Sequence, residues 1–341
     1  MKKYLLPSSG NFYKAALHVH TNVSDGKLPP EEVKRAYKEL GYSIIAYTDH
    51  EVFVPHNDLS DKDFLAINAV EIAVNDPKTP GEWPFMRTCH INFYAKDKNN
   101  DYCPICPLKR IYVPHLHQFV NEKIRENAFK KEYSTECFNR MVDESHKHGF
   151  LACFNHPIGS LQNYEDYIGM KNLWGIEWYN AGSNTCGMME SMQAADDLLR
   201  AGERVFPVAG DDSHNYDIIG CCFNMIKAEE LSYSSVISAL ENGDFYSSTG
   251  PEFYELYLED NILHISCSGV SKIFVNTERR VNFVKTSTEE PVSHAKFDLK
   301  DYIEKSHLSE GHYNNAFIRV TLIDKKGNEA HSRAYFLSEI I

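Results

Sequence analysis

The sequence predicts an α/β protein over its first 250 residues, followed by a small all-β module. Short apolar strands alternate with amphipathic helices up to about residue 250. This order favours parallel strands covered by helices, in a barrel or a doubly wound sheet. After Gly250 and Pro251 helical patterns become sparse, while short strands separated by turns continue. We therefore predict domains over residues 1–250 and 251–341, the second being β-sandwich-like.

Helix signals in the first domain are prolines at the start and glycines at the end. Pro30 opens an amphipathic stretch that stops at Gly41, as expected of a helix. The same reasoning predicts further helices over 134–148, 188–199 and 234–240, and strands over 42–47, 150–154, 174–179 and 205–209. Residues 96–133 have weak periodicity and several prolines, which indicates an insertion with a short helix of its own.

The second domain is predicted from alternating apolar runs. Turns such as 259–261 and 324–328 separate these runs. The predicted strands cover 253–258, 262–267, 272–275, 281–285 and 316–323.

Cysteine usage and the apolar runs indicate a cytoplasmic protein. The nine cysteines are irregularly spaced and no signal-peptide stretch is visible, so we interpret them as reduced core thiols. No run approaches the roughly 20 apolar residues that cross a bilayer, so no membrane partner is predicted. Cys103 and Cys106, with His115 and His117 downstream, could form a small zinc site. The lack of a second Cys-x-x-Cys pair favours a loop with two incidental thiols.

The charge balance limits the kinds of ligand that the protein is expected to bind. A formal net charge of −13, without any block of consecutive Lys or Arg, argues against a long nucleic acid as the partner. A small phosphorylated substrate remains compatible, because bound cations would dominate the local field. The oligomeric state cannot be predicted from these features.

Histidines and carboxylates occur mostly where apolar strands end. Because the carboxyl ends of parallel strands meet at one edge, such side chains are expected to converge there. His90 is the exception, since it begins an apolar run. The candidates are His18, His20, Asp25, Asp49, His50, Glu71, His90, His156, Asp211, Asp212 and His214.

The spacing within two pairs supports convergence. His18 and His20, like Asp212 and His214, are separated by one residue, and such residues point to the same side of an extended backbone. A single histidine beside a strand is usually structural, and Glu71 alone could be a surface carboxylate. The joint pattern over six segments predicts a metal centre.

The combined motifs resemble those of the polymerase and histidinol phosphatase (PHP) family. They are His18-Val-His20-Thr21, Ser24-Asp25-Gly26, Thr48-Asp49-His50, Glu71, His90, Asn155-His156-Pro157 and Asp212-Ser213-His214. The resemblance covers roughly residues 12–250. It implies a distorted (β/α)7 barrel that holds two or three divalent metal ions, commonly zinc, manganese or iron.

The resemblance also implies which residues hold which ion. The first metal would lie among His18, His20, Glu71 and Asp212. Glu71 would bridge to a second metal held by His90 and His156, and the third would be held by Asp25, His50 and His214. Many members have a histidine near the position of Asp25. Mixed nitrogen and oxygen ligands suit Zn²⁺, Mn²⁺ or Fe²⁺ better than Ca²⁺.

The predicted function is hydrolysis of a small phosphomonoester or phosphodiester. A hydroxide bridging the metals would attack phosphorus, and the cations would stabilise charge on the phosphoryl oxygens. We predict catalytic roles for Glu71, His156, Asp212 and His214. A histidine or a metal-bound water would protonate the leaving group, and His156 or His214 could do so only if it is not fully committed as a ligand.

Three further carboxylates are considered, of which two have a predicted supporting role. Asp49 and Asp211 are predicted to orient ligand imidazoles. Glu177 ends a strand and is a candidate lining residue of the pocket.

Two alternative functions are considered. One is exonuclease-like action on nucleic-acid ends, which the acidic balance disfavours. The other is a non-catalytic, metal-stabilised regulatory or binding module. A purely structural site would need only four ligands, and more are present here.

Overall fold

The computed structural model describes residues 2–79, 85–105, 118, 129–307 and 315–341. The strands are β1 (Lys2–Tyr4), β2 (Asn11–Val19), β3 (Ile44–Tyr47), β4 (Leu65–Asn75), β5 (Thr88–Ala95), β6 (Phe150–Asn155), β7 (Gly175–Asn180), β8 (Phe206–Gly210), β9 (Phe223–Ala228), β10 (Phe245–Ser248), β11 (Phe253–Glu259), β12 (Ile262–Val270), β13 (Lys272–Thr277), β14 (Phe283–Thr286), β15 (Val292–Asp298), β16 (Phe317–Ile323), β17 (Glu329–Ser332) and β18 (Tyr335–Phe336). The α-helices are α1 (Pro30–Glu39), α2 (Thr135–Lys147), α3 (Tyr164–Tyr167), α4 (Ala181–Thr185), α5 (Gln193–Arg200), α6 (Tyr233–Asn242), α7 (Lys300–His307) and α8 (Leu337–Ile340).

One large sheet carries the first part of the chain. Its strands run in the order β14-β13-β16-β17-β10-β9-β2-β3-β4-β5-β6-β7-β8, with β18 beside β16. Strands β2, β3 and β4 are mutually parallel, as are β6, β7 and β8, but β5 runs antiparallel to both of its neighbours. The α/β class is therefore confirmed.

The two ends of the parallel part approach each other without a continuous ladder. A single parallel bridge joins Val19 to Ser213. The amide of Asp212 donates to the carbonyl oxygen of His18 over 3.0 Å. The amide of His20 donates to the carbonyl oxygen of Ser213, also over 3.0 Å. Among the described strands the sheet is therefore not closed, and the predicted closed barrel is not confirmed. The contact nevertheless brings the loop after β8 against the end of β2.

Local signals explain most helix boundaries. The Ser134 side chain caps α2 by accepting from the amide of Cys137, and Gly41 adopts φ +80 just after α1. The helix predicted over 188–199 begins later, at Gln193. The preceding segment is instead a loop in which the amide of Glu190 donates to the side chain of Asn184. Tertiary contacts override the helical pattern there.

The second part of the chain consists mainly of strands, as predicted, but it is joined to the first. Strand β17 pairs with β10, so the large sheet continues from one part into the other. A four-stranded sheet, β1-β11-β12-β15, lies against this continuation through shared apolar side chains. Strand β1 comes from the N-terminus. The predicted boundary at residue 250 falls between β10 and β11 and stays a prediction.

A buried ion pair also joins the two parts. Arg319 of β16 donates from Nε and Nη2 to the two carboxylate oxygens of Asp196 in α5, over 2.9 and 2.8 Å. Only 5% of Arg319 is exposed. Removing one partner of such a pair leaves an uncompensated buried charge.

We expect Arg319→Ala to lower the free energy of unfolding by about 1.5–3 kcal/mol, because it removes two charge-assisted hydrogen bonds from Asp196 and leaves that carboxylate with Arg200 at 3.8 Å. Urea denaturation followed by circular dichroism measures this. The double replacement Arg319→Met with Asp196→Leu should restore much of the loss, since neither charge remains. A single variant within about 1 kcal/mol of the original protein would contradict a stabilising role, since that is the range of exposed ion pairs.

Two sequence predictions fall largely outside the described residues. The insertion over 96–133 is described only at its ends and at residue 118. Of the residues considered for a small zinc site, Cys106, His115 and His117 lie outside the described part, and Cys103 is buried. No helix in the described ranges has the length and apolar run that crossing a bilayer requires.

Candidate metal centre

All nine predicted ligands lie together at one edge of the large sheet. They form three overlapping groups in which the potential ligand atoms lie within 4.8 Å of one another, and a fourth group of the same kind combines His18 and His156 with Glu177. The first three groups are His18, His20, Glu71 and Asp212; Glu71, His90 and His156; and His20, Asp25, His50 and His214. These groups match the sets that the family resemblance implied, with His20 added to the third.

Glu71 is the centre of the cluster. Its Oε1 lies 3.0 Å from Nδ1 of His90 and 3.3 Å from Nε2 of His156. Its Oε2 lies 3.3 Å from Nε2 of His18, 3.1 Å from Nε2 of His20 and 3.3 Å from Nδ1 of His50. One buried carboxylate thus faces five imidazoles, with its two oxygens directed to different groups. The arrangement is compatible with metal binding, and the bridging role of Glu71 stays a prediction.

His90 reaches the cluster because of the direction of its strand. Strand β5 is antiparallel to β4 and β6, and His90 pairs with Ala73 and Asn155. The beginning of β5 therefore lies at the same edge as the carboxyl end of β6. Sequence periodicity does not reveal strand direction, so strand ends could not account for His90.

Glu177 is a buried member of the site whose role the sequence left open. Its Oε1 lies 2.8 Å from Nδ1 of His18, and its Oε2 accepts from the amide of His156 and from Nδ2 of Asn180 over 3.1 and 2.9 Å. The carboxylate leaves Nε2 of His18 to face Glu71. A carboxylate that fixes a ligand imidazole in this way is a common support of metal sites.

Gly210 makes room for Glu177. A Cβ at this position would lie 1.9 Å from Oε1 of Glu177 and 3.0 Å from Cβ of His18. Because no side chain fits, glycine is needed at the end of β8. A glycine before the Asp211-Asp212 pair is the signal in the sequence that could have drawn attention to this close approach.

Asp25 is carried by a loop that Asp49 organises. The Asp49 carboxylate accepts from the amide and hydroxyl of Thr21, each over 2.8 Å. It also accepts from the amide and hydroxyl of Ser24, over 3.1 and 2.7 Å. The prediction that Asp49 orients an imidazole is therefore wrong. Through these four hydrogen bonds Asp49 anchors the loop that carries Asp25.

Asp211 also differs from its predicted role. Its carboxylate accepts from the hydroxyl of Tyr37 over 2.9 Å and from the amides of Gly220 and Cys222 over 2.8 and 3.0 Å. These bonds tie the end of β8 to α1 and to the loop before β9. The side chain of Asp211 points away from the imidazoles. Through these bonds Asp211 instead supports the backbone that carries Asp212.

The backbone at two predicted ligands is left-handed. Asp212 has φ +52 and His156 has φ +26. Such values are uncommon for residues other than glycine and concentrate at functional sites. The spacing of Asp212 and His214 predicts that they lie on the same side of an extended strand. They do not, because the backbone at Asp212 is left-handed. They meet because the chain turns, which places Nδ1 of His214 3.6 Å from Oδ1 of Asp212.

The charges in the cluster shift several pKa values. Burial opposes the charged forms of His20 and His156, but the Asp212 and Glu71 carboxylates outweigh it and raise their pKa values to about 10 and about 9. Burial likewise opposes ionisation of Glu71 and Asp212, yet the surrounding histidines hold the pKa of both carboxyls well below the usual range. His50 behaves differently, since burial lowers its pKa to about 3.

The residues present fit a cluster of divalent cations. Nε2 of His18 and Nε2 of His20 lie 3.1 Å apart, both facing Glu71. Nδ1 of His20 is buried and has no hydrogen-bond partner among the described residues. It lies 3.8 Å from Asp25 Oδ1, towards the third group. Mixed imidazole and carboxylate ligands suit zinc, manganese or iron.

Metal uptake should strengthen as pH rises. In the metal-free protein His20 and His156 retain protons up to pH of about 10 and about 9, and a metal ion must displace them. Between pH 6 and 8 the apparent Kd for Mn²⁺ should therefore fall by up to roughly tenfold per pH unit for each displaced proton.

Calorimetric titration in buffers of different ionisation enthalpy measures both the Kd and the protons released. If the Kd did not change over this pH range and no protons were released, the raised pKa values of His20 and His156 would be contradicted.

The fold and site define an α/β protein with a histidine- and carboxylate-rich centre that is compatible with divalent metals. The family model of the PHP domain matches residues 16–318, so the chain belongs to the PHP domain family. A search among curated proteins gives no match.

Several solved structures are similar to the chain. One is a two-domain protein containing a predicted PHP-like metal-dependent phosphoesterase from Bacteroides vulgatus, with 16% identity, coverage of 86% of this chain and 88% of the other, and a TM-score of 0.43. A lesion-specific endonuclease from Pyrococcus furiosus has 13% identity, coverage of 68% and 56%, and a TM-score of 0.41. An amidohydrolase from Chromobacterium violaceum has 14% identity, coverage of 59% and 87%, and a TM-score of 0.37. The family assignment rests on the family model.

Proposed function

We propose that this protein is a metal-dependent phosphoesterase that hydrolyses a small phosphomonoester or phosphodiester. The observation that carries the proposal is the position of Glu71, which belongs to two overlapping ligand groups and lies 3.3 Å from Nδ1 of His50 in the third. Groups that share residues would hold cations next to each other, whereas a structural site needs only one set of four ligands. Adjacent cations are typical of phosphoester hydrolysis.

The exposure of the cluster indicates where a substrate would enter. His18 and His20 are fully buried, whereas the side chains of Asp25 and His214 are each 33% exposed. The centre is therefore open to solvent on the side of Asp25 and His214, and it is closed on the side of His18 and His20. A phosphate group would approach from this open side, with the remainder of the substrate directed towards solvent.

Each part of the site has a distinct role in the proposed reaction. When bound, the divalent cations would supply a nucleophile from water at neutral pH and offset charge on the phosphoryl oxygens. Glu71 and Asp212 offset the positive charge of the centre, and Glu177 holds His18 in one orientation. Asp212 and His156 both have positive φ, and Nε2 of His156 lies 3.8 Å from Oδ2 of Asp212.

The two candidate proton donors differ in access. His156 contacts Ser160 Oγ through Nδ1 over 3.0 Å and Glu71 through Nε2 over 3.3 Å, and it is nearly buried. His214 is a third exposed, with Nε2 lying 3.3 Å from Asp25 Oδ1. His214 lies on the open side, and it could transfer a proton to the leaving group only if its Nε2 does not ligate a metal, because its Nδ1 contacts the main-chain carbonyl of Asp212 over 3.0 Å.

The test combines metal analysis with turnover of chromogenic esters. Purified protein is analysed for bound zinc, manganese and iron. It is then assayed on p-nitrophenyl phosphate and bis-p-nitrophenyl phosphate, with and without added Mn²⁺ or Zn²⁺. Two or three metals with metal-dependent turnover would support the proposal, and the preferred ester would separate monoesterase from diesterase.

Other outcomes favour the alternatives. Bound metal without turnover of either ester would favour a regulatory or binding module. Release of nucleotides from the ends of single-stranded DNA at a higher rate than turnover of either small ester would favour exonuclease-like action. Absence of metal binding would overturn the proposal.

A further inference from the structure

A small cavity lies at the end of β8 opposite the metal centre. Its volume is about 250 Å³, and its lining includes Arg204, Phe206, Arg333 and Glu339. Arg204 precedes β8, whereas Asp212 follows that strand. The cavity is therefore separated from the metal centre by the full length of β8. It is built from both parts of the chain.

Two arginines in this cavity share one carboxylate. Arg204 Nη1 donates to Oε1 of Glu339, and Arg333 Nη1 donates to Oε2 of the same carboxylate over 3.2 Å. The three side chains together carry one net positive charge. Lys3 adds a further cation nearby, since its Nζ donates to the main-chain carbonyl of Glu339.

The hydrogen-bonding capacity of these arginines is not used up. Each guanidinium carries five N–H donors. Nε of Arg333 is buried and has no hydrogen-bond partner among the described residues. Burial, followed by repulsion from the neighbouring Arg333, lowers the pKa of Arg204. An additional anion would relieve this repulsion.

An aromatic ring lies against each guanidinium, although the Arg204 side chain is 48% exposed. The guanidinium of Arg204 lies over the Phe336 ring at 4.0 Å from its centroid, and that of Arg333 lies over Tyr335 at 4.3 Å. Gly243 has φ +71, and a Cβ there would lie 2.6 Å from Cδ of Arg333. The close passage of Arg333 over Gly243 therefore requires glycine.

We propose that this cavity is a second, non-catalytic binding site for a small oxyanion with the chemistry of a phosphate group. Arginine forks match the spacing of phosphate oxygens and bind them through charge-assisted hydrogen bonds. The cavity admits a ligand of phosphate size, either free or as the phosphate of a small monoester. Such an anion would link Arg204 of the first part of the chain to Arg333 of the second.

Glu339 is the internal competitor of the bound anion. It occupies one N–H group on each arginine, so its removal would free both for the ligand. The site is thus predicted to respond in opposite directions to loss of an arginine and to loss of the glutamate. A salt bridge with only a structural role would not show this pattern.

Calorimetric titration with inorganic phosphate, at constant ionic strength, tests the proposal. The metal centre would also attract phosphate, so each variant is prepared both in the original protein and with Glu71→Ala. Arg204→Gln and Arg333→Gln should each weaken phosphate binding by roughly tenfold or more, since each removes charge-assisted bonds. Glu339→Gln should tighten it. Arg280→Gln, at an exposed arginine elsewhere, is the matched control and should change nothing.

The outcomes separate the possibilities. Equal affinity in the Arg204, Arg333 and control variants, or no measurable binding once Glu71 is replaced, would overturn the proposal and leave a structural salt bridge. Glycerol phosphate, titrated in parallel, distinguishes free phosphate from a phosphate monoester as the ligand. Thermal unfolding verifies that each variant folds. If Arg333→Gln does not fold, the opposite responses of Arg204→Gln and Glu339→Gln still decide.

Discussion

Replacing Glu71 with alanine should abolish hydrolysis of phosphoesters and reduce bound metal by more than one ion. The carboxylate lies within 3.3 Å of nitrogen atoms of five histidines and belongs to two of the ligand groups. Its loss removes the charge that holds these groups together. Loss of a single electrostatic contact in an active site costs about a hundredfold to a thousandfold, and we expect at least the upper value. Steady-state assays with elemental analysis measure both effects.

Glu71→Gln distinguishes the effect of side-chain size from that of charge. Glutamine has nearly the same size as glutamate, but it is neutral and offers only one oxygen. This variant should also lose metal. Glu203→Ala is the matched control, because this glutamate binds Lys171 and the amide of Asn172 near the start of β8. Unchanged activity and full metal content in Glu71→Ala would refute the bridging role.

The second large effect concerns the orientation of His18. Three donors surround the Glu177 carboxylate: Nδ1 of His18, the amide of His156 and Nδ2 of Asn180. A glutamine presents one oxygen and one NH₂ group, so at least one of these donors would face another donor. We expect Glu177→Gln to weaken metal binding by about 10–100-fold, as loss of such supporting carboxylates does elsewhere. Competition with a fluorescent chelator measures the affinity.

Gly210→Ala tests the same support from the opposite side. Its added Cβ would lie 1.9 Å from Oε1 of Glu177, so the carboxylate must move away from His18. This variant should therefore reproduce the loss of metal affinity. Glu203→Gln serves as control. If metal affinity were normal in both Glu177→Gln and Gly210→Ala, Glu177 would have no part in positioning His18.

Much of the ligand set could be predicted from the sequence because most of its members follow apolar runs. Strands β2, β3, β4, β6 and β8 run in the same direction, so the residues at their carboxyl ends meet at one edge. Convergence of His18 and His156 follows from this rule, but the expectation that Glu71 ends its strand is wrong, because β4 continues to Asn75 and Glu71 lies within it. Their roles as metal ligands remain predictions that the proposed experiments test.

The supporting residues were harder to predict. The sequence predicts Glu177 only as a candidate lining residue, and the imidazole partners that it predicts for Asp49 and Asp211 are wrong. In each case the deciding factor is the identity of a neighbour from a distant segment, such as His18 beside Glu177, 159 positions away. A single sequence carries no information on such pairs.

The sequence by itself determined the alternation of strands and helices, the strand-rich second part and most of the residue types at the strand ends. These depend on local periodicity and on turn residues. Strand direction, sheet continuity and the direction of each carboxylate were decided only by the tertiary structure. The antiparallel β5 places His90 in the site, β17 extends the sheet from β10, and β1 joins the second sheet. These features depend on pairing between distant segments, because hydrogen bonds and packing select among partners that have equivalent local patterns.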